Sequence, residues 1–134
     1  MNKEQKMVLE FHRRFEVLAN KNPRLVPHSI WDLRIGLIDE EAKEFAEAAP
    51  TGDLAKIADA LGDLLYVIYG TAISYGIDLE PIFAEIHRSN MSKGDPEVLR
   101  ASNGKILKSR NWTPPNLQPI IDTQVFDAKP EEQR

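Results

Sequence analysis

DLAKIADALGDLLYVIYGTAISYG, Asp53 to Gly76, is the stretch on which the fold turns. It opens on an aspartate, closes on a glycine, and holds no proline between. Aspartate is a good helix N-cap and glycine a good C-terminal stop, so the spacing predicts a helix from Leu54 to about Tyr75. Ile57, Leu61, Leu64, Leu65 and Ile68 share one face, and Tyr66, Val67, Gly70 and Ile73 the opposite one. A helix apolar nearly all round is covered on both sides. In a chain of 134 residues the second cover is expected from another subunit. Asp59 and Asp63 lie on the second face, one helical turn apart.

Outward from this helix, PTGD (residues 50–53) separates it from an earlier amphipathic run, about Ser29 to Ala49, with Ser29 as its expected N-cap. Before that, NKNPRLVPHS is a linker with two prolines, preceded by a helix from about Lys3 to Ala19 with the stripe Val8, Phe11, Phe15 and Leu18. Asp78 introduces a fourth helix, Leu79 to about Lys93. No strand-like alternation of any length occurs, and short links imply antiparallel neighbours. The expectation is an all-α, antiparallel four-helix bundle over residues 1–94. Residues 95–134 are expected to form an irregular basic segment and tail of the same domain, with the terminal DAKPEEQR frayed.

Composition narrows the class. Hydrophobic residues make up 42% and charged residues 28%, and the formal net charge is −4. That balance suits a globular protein and gives no overall attraction to nucleic acid. Cysteine is absent, which excludes disulfides and thiolate metal sites. No signal peptide is evident, and no uninterrupted apolar run reaches the ~18 residues of a membrane span. A cytoplasmic protein with neither membrane nor nucleic-acid partner is expected.

The second helix poses a chemical question. Centred on Leu37, its apolar stripe takes in Ile30, Leu33 and Ala48, with Ile38 and Phe45 at the border. Glu41 and Glu44 fall within about 40° of the same centre. Between Leu37 and Asp63 there are eight acids and two bases. Buried carboxylates cost several kcal/mol each unless paired, protonated or bound to a cation. An all-oxygen cluster drawn from Glu40, Glu41, Glu44 and Glu47 on one helix and Asp59 and Asp63 on the next suits Mg²⁺ or Mn²⁺. A di-iron carboxylate bundle would need paired Glu-x-x-His motifs, and Glu85-Ile86-His87 has the wrong spacing. In the fourth helix His87 and Asn90 continue the stripe of Phe83. Between His87 and Trp112 the charge reverses, with six bases against Asp95 and Glu97. An acidic, cation-holding pole beside a mobile basic segment makes a phosphate site, and Trp112 offers a face to a base or pins the tail.

LIDEEAKEF followed by DALGDLLYVIYG resembles the all-α nucleoside triphosphate pyrophosphohydrolases. IFAEIHRSNMSK and GKILKSRNWTPPNL are similar to its MazG-like branch, the one related to a deinococcal dUTP-hydrolysing enzyme. The resemblance spans roughly Val8 to Leu117 and implies a MazG fold. It implies Mg²⁺ held by Glu-x-x-Glu on one helix, matching Glu41 and Glu44, and by Glu-x-x-Asp on the next, where Asp63 matches. The family glutamate of that second motif falls on Ala60, and Asp59 is the candidate replacement. Glu40 matches a further family acid, expected to orient water or hold another cation. Asn90 and Lys93 would contact substrate, and Lys105 and Lys108 would close over the phosphates, with Arg110 and Trp112 in the same basic segment. The implied reaction cleaves a nucleoside triphosphate, such as dUTP or another deoxynucleotide, between the α- and β-phosphates in a homodimer or homotetramer. The alternatives are a phosphoribosyl-ATP pyrophosphohydrolase, or a catalytically reduced bundle that binds a nucleotide or a partner.

Overall fold

The computed structural model describes residues 1–126. It is all-α apart from one small hairpin, in the order α1 (Lys3–Arg14), α2 (His28–Ala48), α3 (Leu54–Tyr75), α4 (Leu79–Met91), β1 (Leu99–Arg100), β2 (Ile106–Leu107) and α5 (Gln118–Phe126). The chain groups into two compact units, Met1–Leu79 and a second beginning at Glu80. The terminal stretch expected to fray lies outside the described residues.

In the first unit α3 is the central element. Its bounds match the sequence reading because both ends are set by local chemistry. The Asp53 side chain accepts from the backbone N–H groups of Ala55 and Lys56, and Gly76 closes the helix at φ 71°. By length and composition alone α3 could cross a membrane, yet it packs on α2 and α1. Its last carbonyls are taken up by the linker after α1, Ile73 O accepting from Gly76 N as well. Asn20 N donates to Ile73 O, the Asn20 side chain to Ser74 O, and Arg24 N to Tyr75 O. The linker therefore lies against the helix end, where Gly70, Ala72, Ile73 and Ser74 are buried around most of the circumference of α3, and Ala60 is buried nearer its start. On the first expected face Leu61, Leu65 and Ile68 are exposed, while Ile57 and Leu64 are half-buried.

Four local expectations need correction. α1 ends at Arg14 rather than Ala19, because Glu16 adopts φ 55° and Val17 N turns back to His12 O. Its buried line is Gln5, Val8 and His12, whereas Phe11 and Phe15 are exposed and pack on each other, Phe11 also meeting Tyr66. α2 starts after Pro27 with no side-chain cap, so Ser29 is not the N-cap, and Pro27 O accepts from Ile30 and Trp31. The inward line of α2 is also rotated by about 60° from Leu37. It runs through Arg34, Ile38, Glu41, Phe45 and Ala48, and leaves Leu33 exposed.

Arg34 explains that rotation. It is 6% exposed, donating from Nη2 to Val67 O at 2.8 Å and from Nε to Thr71 Oγ1 at 3.0 Å. The guanidinium lies against Gly70, where a Cβ would collide with Arg34 Nη2 and stand 3.0 Å from His12 Nε2. His12 is buried on the other side, its Nδ1 donating to Leu18 O at 3.0 Å. Burial holds the His12 imidazole below its ordinary value of 6.5, the Leu18 carbonyl acting the other way and the Arg34 charge adding to the depression. The unfolded chain therefore binds this proton more readily than the folded one. Stability is complete above pH ~6.5 and declines as pH falls from there towards the lowered value. Urea unfolding at about pH 7.5 and about pH 5.5 should show wild type losing stability relative to His12→Asn. A gap between the two that ignores pH would refute this.

The second unit is more regular than the expected segment. β1 and β2 pair antiparallel, Leu99 opposite Leu107 and Arg100 opposite Ile106. Residues 109–116 are strapped to α4 and the 3-10 turn after it. Ser89 Oγ donates to Thr113 O, Thr113 N to Ser92 Oγ, and Asn116 N to Glu85 Oε1. Arg88 joins Glu85 at 2.9 Å and reaches Thr113 Oγ1 and Pro114 O. The covered face of α4 is thus Ile82 and Ser89, and the expected stripe of Phe83, His87 and Asn90 is exposed. α5 follows, with Thr123 Oγ1 donating to Pro119 O and the Gln118 side chain to Asp122.

Candidate metal centre

α2 and α3 run antiparallel, since partners fall along α3 as residue numbers rise along α2. Arg34 meets Val67 and Thr71, further along Glu41 and Glu44 face Asp63, and the end of α2 lies near Ala60 and Lys56. Glu41 and Glu44 are one turn apart and project to the same side. Together with Asp63 they offer three carboxylate oxygens within 4.8 Å of one another. Glu41 and Asp63 are half-buried, and Glu44 is exposed.

Three carboxylates so close repel one another. Glu41 is raised above the ordinary carboxylate value by burial first, then by hydrogen bonding with Glu44, then by the charges of Glu44, Asp63 and Glu40. Its Oε2 is buried and lacks a hydrogen-bond partner. An orphaned acceptor beside two further carboxylates is what a divalent cation would satisfy, with all-oxygen donors suited to a hard ion. Such a cation competes with protons for Glu41, so its affinity falls as pH drops.

The other expected residues are placed differently. Asp59, expected as a fourth ligand, is not in the triad. It lines a neighbouring cavity of about 380 Å³ with Glu44, Glu47, Ala48, Thr51, Lys56 and Ala60. Lys56 shares that wall. Glu40 is exposed on α2, outside the triad. In the second unit Lys108 Nζ sits 4.1 Å over the Trp112 ring, whose Nε1 is buried without a partner. Asn90, Lys105 and Arg110 are exposed and Lys93 is half-buried. Sequence reasoning missed the cavity altogether. Its walls come from the end of α2, the connecting turn and the start of α3, and no periodicity joins these.

Comparison with known proteins gives two findings. The profile of a family described as phosphoribosyl-ATP pyrophosphohydrolase matches residues 8–90, which hold the whole triad. An uncharacterized protein of Acanthamoeba polyphaga mimivirus is 40% identical over 78 residues, covering 53% of this chain and 30% of the relative. The chain therefore matches less than a third of that relative's length.

Proposed function

The chain belongs to the phosphoribosyl-ATP pyrophosphohydrolase family, and from that premise we propose that it is a Mg²⁺-dependent pyrophosphohydrolase cleaving nucleoside triphosphates between the α- and β-phosphates. The observation that carries the reading is the triad of Glu41, Glu44 and Asp63 with its orphaned Glu41 oxygen. Mg²⁺ bound there supplies charge neutralisation to the phosphates and lowers the pKa of water. The chain's own residues do the rest. Glu41, Glu44 and Asp63 hold the cation, and Glu40, next to the triad in sequence, accepts a proton from the attacking water. The resemblance to the MazG-like branch makes Lys93, Lys105, Lys108 and Arg110 the candidate donors to the phosphate oxygens, and Asn90 and Trp112 the candidate polar and stacking contacts. The products are a nucleoside monophosphate and pyrophosphate. The sequence likeness to the MazG-like branch favours a deoxynucleotide such as dUTP. The family description favours a second substrate, phosphoribosyl-ATP, cleaved at the same bond.

The test is a panel of ribo- and deoxynucleoside triphosphates and phosphoribosyl-ATP with Mg²⁺, products resolved. Monophosphate and pyrophosphate are expected. Release of diphosphate and phosphate would overturn the cleaved bond, and binding without turnover would point to a catalytically reduced bundle. We propose in addition that the open Leu61, Leu65 and Ile68 face of α3 is covered by a second copy in a homodimer or homotetramer. Light scattering that reports a monomer at micromolar concentration would overturn that part. A cytoplasmic location accords with the cysteine-free composition.

A further inference from the structure

Arg34 is an unusual residue to bury. It is 6% exposed, and among the described residues no carboxylate pairs with it. Burial alone draws the guanidinium below its ordinary pKa, with no acid to offset it. What holds it is polar and specific. Nη2 donates to Val67 O and Nε to Thr71 Oγ1, and the Thr71 hydroxyl donates in turn to Val67 O. Gly70 leaves the space that the guanidinium fills. A desolvated charge without a counter-charge is costly. The best-attested use of such a group is to select one arrangement among several that bury similar hydrocarbon.

α2 has such a choice. As it stands it turns Ile38 and Phe45 towards α3 and leaves Leu33 exposed. Turned by about 60°, so that its seam centred on Leu37, it would cover Leu33 and Leu37 and expose Ile38 and Phe45 instead. Hydrocarbon scarcely separates the two orientations, but the carboxylates do. In the observed one Glu41 lies about 20° from the seam and Glu44 about 80°, so the first is half-buried and the second exposed. In the turned one Glu44 would lie about 20° from the seam and Glu41 about 40° on its other side. Both carboxylates would then enter the helix contact, and a cation between them would be shut off from phosphate.

We propose that Arg34 is a positioning residue for the cation triad: its buried tie to Val67 and Thr71 holds α2 turned so that Glu41 faces α3 while Glu44 stays at the solvent edge. The inference rests on the triad as a cation site, and so on the pyrophosphohydrolase reading.

The test reads the Mg²⁺ affinity of the full chain by calorimetry, together with its metal-free stability in urea. Arg34→Gln removes the tie, Thr71→Val removes its acceptor, and Gly70→Ala pushes the guanidinium aside with one methyl group, all without touching the triad. Each is expected to weaken Mg²⁺ binding by about tenfold or more, the loss typical when a group that orients a metal ligand is removed. A merely structural role would lower urea stability and leave the affinity of the folded chain intact. The chain has no cysteine, so Leu33→Cys reports on its own position. A thiol reagent should label it quickly with the tie in place and severalfold more slowly in each of the three variant backgrounds, as position 33 turns inward. Leu33→Gln, silent alone, should restore most of the affinity lost in Arg34→Gln, because the turned orientation then buries a polar group. Unchanged Mg²⁺ affinity in Thr71→Val and Gly70→Ala, or a loss of affinity with unchanged labelling, would overturn the assignment, and these two variants decide it if Arg34→Gln does not fold. Wild type that binds Mg²⁺ yet hydrolyses no nucleotide would remove the pyrophosphohydrolase reading alone.

Discussion

Glu44→Gln and Asp63→Asn are each expected to cut kcat/KM for the preferred nucleotide by at least about a hundredfold while the fold survives. Groups that merely support a metal ligand cost about 10–100-fold when replaced, so loss of a ligand itself costs no less. Neither substitution changes shape, and Glu44 is exposed, so no packing is lost. Without a divalent cation both variants should unfold at the same or higher urea concentration than wild type, because each removes a charge that repels Glu41. Adding Mg²⁺ should reverse the order. A ligand that binds only the folded chain stabilises it in proportion to its affinity, and the variants would gain less. An equal Mg²⁺-induced rise in unfolding temperature for wild type and both variants would show that the triad is not the cation site. Glu40→Gln provides the contrast: the Mg²⁺ response is kept and kcat falls, because Glu40 stands outside the triad.

That prediction was half legible in the sequence. Glu41 and Glu44 declared themselves by sitting where α2 should bury hydrocarbon, and Asp63 by its place on a nearly all-apolar helix. Arg34 hid the true orientation of α2. A guanidinium reads as a solvent-side residue in any hydrophobic pattern, yet here two hydrogen bonds and a facing glycine make it an inward one. The same blindness applies to α4, where buried Ser89 and half-buried Glu85 hold the following segment while Phe83 faces outward. Periodicity counts apolar side chains, so an interface built from serine hydroxyls, backbone carbonyls and an Arg88–Glu85 pair leaves no trace in it. Helix ends followed a similar rule. α3 was read correctly because Asp53 and Gly76 are specific capping residues. α1 was read too long because its stop uses Glu16 in a left-handed conformation that glycine usually takes. α5 is hidden because Pro119 breaks the pattern at its start, although proline is allowed in a first helical turn.

Gly76→Ala is expected to be the most damaging single-methyl change in the first unit, and Gly52→Ala shows why. Both glycines are left-handed, at φ 71° and 72°, so alanine incurs the same backbone strain at each, about 1–2 kcal/mol. Their surroundings differ. A Cβ at Gly52 would meet nothing within 4 Å. At Gly76 it would run into the backbone carbonyl of Asn22, with Asn20 O at 3.0 Å. These atoms belong to the linker that satisfies the last carbonyls of α3, through Asn20 N to Ile73 O and Arg24 N to Tyr75 O. The carbonyl cannot swing away as a flexible side chain would, so relief requires the linker to lift, breaking its bonds to Ile73 O and Tyr75 O and leaving Ile73 O only the Gly76 N–H. Overpacking of this kind adds about 1–3 kcal/mol, giving roughly 2–5 kcal/mol for Gly76→Ala against about 1–2 for Gly52→Ala. Urea unfolding of the two variants measures the difference directly. Equal losses would mean that the linker yields freely and that its hydrogen bonds do not hold the end of α3. A larger loss at Gly76 with faster amide exchange at Asn20 and Arg24 would identify the lifted linker as the cause.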